Sequence, residues 1–235
     1  MNKVGIGIPI YKDLDNLRLI IAEIARNPEL KIDFYILDNG SNDIKLNDYL
    51  NSIKLSNVFS FKHEVNLGFG GGIKHLLNII PNDFIGWMPG NGKVNPSNLK
   101  IIDELYNHSN YLFSFKANRS DRSWLAKQKT FASGLLISAF FRRNLLDSGG
   151  TPTIVPKHFK NYLLNGPDDF SFEAFSLYII RRMKLDLFRA NIPYGKRRFG
   201  NSHWQIGLMS ELKLLLTILK QKGKWNKILR DEIRP

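Results

Sequence analysis

Pro9-Ile10-Tyr11-Lys12-Asp13 and Asp38-Asn39-Gly40-Ser41 each close an apolar run, and each carries side chains able to hold a ligand. A carboxylate at Asp38 can accept hydrogen bonds from a base or a ribose, and Gly40 permits the tight turn beside it. Tyr11 can stack on or flank a planar ring, and Asp13 can accept from a hydroxyl or a base edge. Each stretch also has an ordinary reading, because Asp-Asn-Gly-Ser is good turn chemistry and Asp13 suits a helix N-cap. Asn66-Leu67-Gly68-Phe69-Gly70-Gly71-Gly72-Ile73-Lys74 is glycine-rich, which lets backbone approach a ligand or a neighbouring strand. It lacks the ending of a phosphate-binding P-loop, and it follows the third apolar run rather than the first, unlike a dinucleotide fingerprint. Trp87-Met88-Pro89-Gly90-Asn91-Gly92-Lys93 closes a fourth run. Beyond the Trp87 indole, its polar side chains are one neutral amide at Asn91 and one ammonium at Lys93.

These segments need strands and helices to bring them together. Residues 3–10, 32–37, 58–62 and 83–88 read as strands, and 13–26, 44–54 and 70–80 as helices. Leu17, Ile20, Ile21 and Ile24 recur at helical spacing on one face. Strand alternating with helix at this pitch means βαβ units and a parallel sheet. Ligands then sit outside the carboxyl ends of the strands, where these segments fall. Beyond residue 110 the rhythm changes: a strand at 111–115, a long helical stretch at 121–144, a break at Gly149-Gly150-Thr151-Pro152, a helix at 170–183 and a strand at 185–192. An apolar helix at 209–221 and a basic tail follow.

The chain has 235 residues, 43% of them hydrophobic, enough for one large α/β domain. The absence of cysteine excludes disulfides and thiolate metal sites. The start, broken early by Pro9, does not read as a signal peptide, and no apolar run is long enough to span a bilayer. A net charge of +13 favours anionic partners. Zinc spacing, RNA-binding aromatics and a helix-turn-helix pattern are missing, so nucleic acid is not an expected partner.

The order I-x-I-P-x-Y (Ile6 to Tyr11), then D-x-G-S, then N-x-G-x-G-G, then an apolar strand resembles the family 2 glycosyltransferases. Within them it is most similar to the dolichol-phosphate mannose synthase type, which loads a sugar onto a polyprenyl phosphate. The resemblance is strong over residues 3–100 and weaker to about 205. It implies a GT-A fold, a Rossmann-like, mostly parallel sheet flanked by helices. It divides the chain into a nucleotide-sugar half (1–100), an acceptor half (101–205) and a basic amphipathic helical tail (206–235). Carried over, Pro9, Tyr11 and Asp13 border the nucleoside, Asp38 holds base or ribose, and Asn66 and Gly68 pack against the nucleotide. Asp168-Asp169-Phe170-Ser171-Phe172-Glu173 matches an acidic cluster before a helix. Arg197-Arg198-Phe199-Gly200-Asn201-Ser202-His203 resembles the Arg-x-x-Gly-x-Ser-Lys segment, with His203 in the lysine position. It implies that Arg197, Ser202 and His203 handle phosphate charge, for which an arginine fork is well suited. Arg119, Arg122, Lys127, Lys129 and Ser133 lie where the family places lipid-phosphate contacts.

The chain departs from the family at the metal. The family's Asp-x-Asp falls on Pro89-Gly90-Asn91, with a glutamine near Lys93. A divalent cation such as Mg²⁺ or Mn²⁺ normally stabilises the leaving diphosphate. Proline supplies no ligand, and Asn91 is a weak one. Either Lys93 replaces the metal's charge, or a metal is held weakly through Asn91 and the substrate, or catalysis is lost. The expected activity is inverting transfer from a nucleoside diphosphate sugar to a polyprenyl phosphate or glycan acceptor, in surface polysaccharide or glycolipid synthesis. Asp169 or Glu173 would be the base for a hydroxyl acceptor. The alternative is a non-catalytic relative serving a partner enzyme.

The tail adds a further expectation. Leu208, Leu212, Leu215, Leu216 and Leu219 form one apolar face, and Trp225, Ile228, Leu229 and Ile233 a second patch. Between them lie Lys213, Lys220, Lys222, Lys224, Lys227 and Arg230. Such a basic amphipathic helix suits an anionic membrane surface; the other reading is a helix packed on its own domain or a partner, with its charges outward. The expected location is therefore cytoplasmic, peripheral on the inner face of the membrane.

Overall fold

Alternating apolar side chains set the first strand between two layers. The computed structural model describes residues 2–108, 112–121, 123–200 and 208–233. In β1 (Val4–Ile10), Val4, Ile6, Ile8 and Ile10 are all buried in one core cluster. The chain then alternates as expected: α1 (Leu14–Ala25), β2 (Ile32–Asn39), α2 (Ile44–Ser52), β3 (Val58–His63), α3 (Gly68–Ile79), β4 (Phe84–Trp87) and α4 (Lys100–His108). Next come β5 (Ser114–Lys116), β6 (Asn118–Ser120), α5 (Trp124–Phe141), β7 (Thr153–Pro156), α6 (Lys160–Leu164) and α7 (Phe172–Arg182). The last elements are β8 (Leu187–Phe188), β9 (Asn191–Pro193), α8 (Leu208–Lys220) and α9 (Lys222–Ile233).

Among the described residues, seven strands form one sheet in the order β3-β2-β1-β4-β7-β5-β8. β1 is parallel to β2 and β4, and β2 to β3. β7 runs antiparallel to β4 and β5. It was not expected from the sequence, where Gly149-Gly150-Thr151-Pro152 reads only as a break. The strand expected at 185–192 divides instead: β8 joins the main sheet beside β5, and β9 pairs with β6 in a separate ribbon.

One face of the sheet packs on α1, α2 and α4 through residues such as Leu17, Ile20, Leu46 and Tyr106. The other packs on α3, α5, α6 and α7. The tail belongs to this second layer. Ile218, Trp225 and Leu229 are buried in the same cluster as Phe141, Phe175 and Tyr178. Trp225 lies edge-on to Phe175 at 5.4 Å between centroids, and its indole nitrogen donates to Gln221. Of the two tail faces expected to meet a membrane, the Trp225 patch is thus turned into the protein, while Leu212 and Leu216 stay exposed. The sheet layer offered an apolar surface that this face covers at lower cost than exposure to water. No described helix is long and apolar enough to cross a membrane.

Candidate functional site

The chain steps from β1 outward to β2 and β3, then returns to the opposite side of β1 with β4. Such a reversal, beyond the carboxyl ends of the strands, is the usual ligand position in a doubly wound sheet. The segments after β1, β2 and β4 meet at this rim. Gly90 lies so close to the end of β1 that an added Cβ would stand 2.8 Å from the Pro9 carbonyl.

An open cleft of about 700 Å³ lies at the ends of β1 and β2, lined by Tyr11, Lys12, Gly40, Ser41, Asn42 and Lys45 among others. Its two walls are tied together, since the Lys12 backbone N–H donates to Ser41 Oγ at 2.9 Å. Lys12 has a positive φ of 50°, sparsely populated for a residue with a side chain. Asp38 stands behind this wall and is fully buried. Its Oδ1 accepts from the Ser41 N–H at 2.9 Å, while its buried Oδ2 has no hydrogen-bond partner. A buried carboxylate oxygen left unsatisfied is costly, and such exceptions are few in folded proteins. Asp38 does not itself line the cleft, so a ligand N–H or O–H would reach this oxygen only if the Gly40-Ser41 wall moved aside.

Asn39, which sequence reading passed over, holds the neighbouring loop. It accepts from the Leu67 N–H and donates to the Gly68 carbonyl and to Asn66 Oδ1. Asn66 and Gly68 therefore sit against the end of β2. The glycine run itself meets protein rather than ligand. The Gly70 and Gly71 N–H groups at the start of α3 both donate to the Asp168 carbonyl. Gly68 has φ 76°, and a Cβ there would stand 2.6 Å from that carbonyl. Lys74 pairs with Asp168 at 2.7 Å, and Phe69 stacks on Phe170 at 4.5 Å. The start of α3 thus anchors the 168–173 segment at the rim.

Within that segment, Asp169 is exposed and accepts from the Ser171 backbone N–H. Glu173 does not stand ready as a base. Its carboxylate is buried between Trp87 Nε1, 2.8 Å from Oε1, and Lys116 Nζ, 2.8 Å from Oε2. Lys116 also donates to Thr153 Oγ1. Burial pushes the Lys116 pKa down, and the Glu173 charge opposes that shift. The array ties β4, β5, β7 and α7 together directly behind the Met88–Lys93 loop.

Asp13 and Arg197, expected at nucleoside and phosphate, are paired with each other. The other Asp13 oxygen accepts from Asn16 Nδ2 at 2.6 Å, and Arg197 Nε donates to the Phe199 carbonyl. Asp13 also makes no side-chain cap to α1. Its carboxylate instead clasps the 197–199 segment across α1. Lys93 is tied to the same strap: the Gly195 N–H donates to its carbonyl, and its ammonium lies 5.7 Å from the Tyr194 ring centre. Arg119 is held by Asp147 through Nε at 3.0 Å and a second, shorter contact. Burial works to raise the Asp147 pKa, but the Arg119 charge and hydrogen bonds hold it below the ordinary carboxylate value. Lys127 and Lys129 are exposed on α5, and Ser133 caps back onto Thr130. Arg122, Ser202 and His203 lie outside the described residues.

The donors at the metal position do not fit a divalent ion. Pro89 brings no ligand, and Asn91 Oδ1 accepts from the Lys93 N–H at 3.2 Å. Among the described residues no three His, Asp or Glu side chains gather as a metal cluster.

No protein-family model matches the chain, and no curated protein matches it. Solved structures do. Glucosyl-3-phosphoglycerate synthase from Mycobacterium tuberculosis, in complex with Mg²⁺ and UDP, superposes with a TM-score of 0.67 at 15% identity, over 93% of this chain and 80% of that one. The same enzyme with Mn²⁺, UDP and glucosyl-3-phosphoglycerate gives 0.64 at 10% identity, over 95% and 80%. TarS residues 1–349 from S. aureus gives 0.58 at 12%, over 97% and 69%. At these identities the likeness establishes the fold, which is GT-A: a mostly parallel central sheet flanked by helices.

Proposed function

We propose that this chain is an inverting glycosyltransferase using a nucleoside diphosphate sugar, with the nucleoside in the Tyr11–Lys45 cleft. The buried, unpartnered Oδ2 of Asp38 beside that cleft carries the reading. It is an acceptor awaiting a donor, and a base or ribose supplies one. The solved relatives bound to UDP support the same ligand class.

In the proposed reaction an acceptor oxygen attacks the anomeric carbon. The bond from that carbon to the diphosphate breaks, and the electron pair leaves with the diphosphate. The acceptor is a polyprenyl phosphate or a glycan of surface polysaccharide or glycolipid. A phosphate acceptor is already ionised and needs no base. For a hydroxyl acceptor the base is Asp169, since both Glu173 oxygens are engaged. Negative charge on the leaving group is met by fixed cations, with Lys93 foremost and Lys12 and Lys45 on the cleft wall. The charge on Arg197 is already answered by Asp13, so its expected part in phosphate binding requires that pair to open.

Turnover with several nucleotide-sugars is expected to survive EDTA. Lys93→Ala is expected to lower it about 100-fold or more, the scale of losing one preorganised electrostatic group. Activity abolished by EDTA and restored by Mn²⁺ would overturn the cationic version. The occupied Asn91 oxygen also favours a second reading, a relative that binds nucleotide-sugar without turnover. Calorimetric binding with neither hydrolysis nor transfer would select it.

A further inference from the structure

α5 is apolar and largely unburied. Of its residues only Gly134, Ile137 and Phe141 are buried, so the stretch 124–133 has none. Its face away from the body carries Trp124 at 73% exposure, Leu125 at 60%, Leu135 at 47% and Leu136 at 59%. Ala132 and Ala139 lie exposed on the same side, and Phe131 and Phe140 flank it at 51% and 45%. On α8, which packs beside α5, Leu212 and Leu216 are exposed one turn apart. Soluble monomers rarely leave so continuous an apolar face open to water. Packing among the described residues does not account for these side chains.

The charge around this face identifies its occupant. Lys127 and Lys129 are exposed near its start, and Arg142 and Arg143 at its end. No Asp or Glu occurs between Asp121 and Asp147. Lys222 crosses to α5 from α9, with its ammonium 4.6 Å from the Phe140 ring centre. A second copy of this chain would bring like charges together, because the net charge is +13. An anionic lipid surface answers both features at once. Apolar side chains enter the acyl boundary while lysines and arginines reach the headgroups.

We infer that α5, with the outer edge of α8, is a docking face for an anionic bilayer. It lies in the plane of the interface and does not span it. The membrane contact therefore falls on a different element from the Trp225 patch, which is buried. Vesicle binding is read without turnover, so this inference stands apart from the transferase reading.

The full chain is tested by flotation with phosphatidylglycerol-containing vesicles and with pure phosphatidylcholine vesicles. Binding to the anionic vesicles is expected, with much weaker binding to the neutral ones. The L135Q/L136Q pair is expected to lower the partition coefficient about tenfold or more. Each of Lys127→Gln and Lys129→Gln is expected to lower it about fivefold. Lys227→Gln on α9 is expected to have a smaller effect. All these side chains are exposed, so folding is retained, and thermal unfolding checks it. Three results would overturn the inference: no binding to anionic vesicles, binding that L135Q/L136Q leaves unchanged, or a dimer in sedimentation velocity that L135Q/L136Q dissolves.

Discussion

Asp38→Asn isolates the unpartnered half of one carboxylate. Asparagine keeps an oxygen to accept from the Ser41 N–H, a bond of 2.9 Å in the parent. It replaces the unpartnered oxygen by an amino group, which meets a ligand N–H or O–H donor to donor. A hydrogen bond to a charged acceptor contributes about 1.5–3 kcal/mol net. At about 1.4 kcal/mol per tenfold, nucleotide affinity falls about 10- to 150-fold. Asp38→Ala also cuts the tie to Ser41, so it adds a stability loss of about 1–3 kcal/mol that asparagine avoids. The assay is isothermal titration with UDP and GDP, alongside thermal unfolding of each variant. If Asp38→Asn folds like the parent and binds both nucleotides as tightly, the unpartnered oxygen is not a ligand contact and the placement of the nucleoside is wrong.

Glu173→Gln leaves the buried Lys116 ammonium without its counter-charge and is expected to destabilise the fold by about 3–5 kcal/mol, measured by denaturant unfolding. The double variant Glu173→Leu with Lys116→Met is expected to recover most of that loss, whereas a chemical requirement for Glu173 would leave the double variant stable but inactive. Trp225→Ala is expected to cost about 3–5 kcal/mol, as for a large aromatic removed from a core; an unchanged melting temperature would return the tail to the surface. Asp147 has a lowered pKa in the folded state. Its contribution is therefore complete above the ordinary carboxylate value and is lost as pH falls through the lowered one. The stability gap between parent and Asp147→Asn is expected to shrink below about pH 4, and a gap that widens there would reverse the sign.

The alternation of β1 through β4 with α1 through α3 was legible because each element declares itself locally. Period-two and helical spacing, with Pro9 and the Asp38-Asn39-Gly40-Ser41 turn as punctuation, define the βαβ frame, and the frame alone puts those loops at one rim. Three-residue strands such as β5 and β6 carry too few side chains for a period to show, and β7 is held in place by the neighbours it pairs with. Side-chain partners were beyond sequence for a related reason. Asp13 and Arg197 are far apart in the chain, and nothing local announces that each meets the other rather than a ligand. Glu173 reads as a base until β5 and α7 bring it into contact with Lys116.

The membrane question divides the same way. Composition alone set a basic chain with amphipathic helices, which is a statement about amounts of charge and apolar surface. Which apolar face stays open depends on which face the folded layers cover. Trp225 and Leu229 found the layer made by α5, α6 and α7, while among the described residues nothing covers the outer side of α5. Sequence determines how much apolar surface a chain must hide; the packing of its layers decides which part remains to be covered by something else.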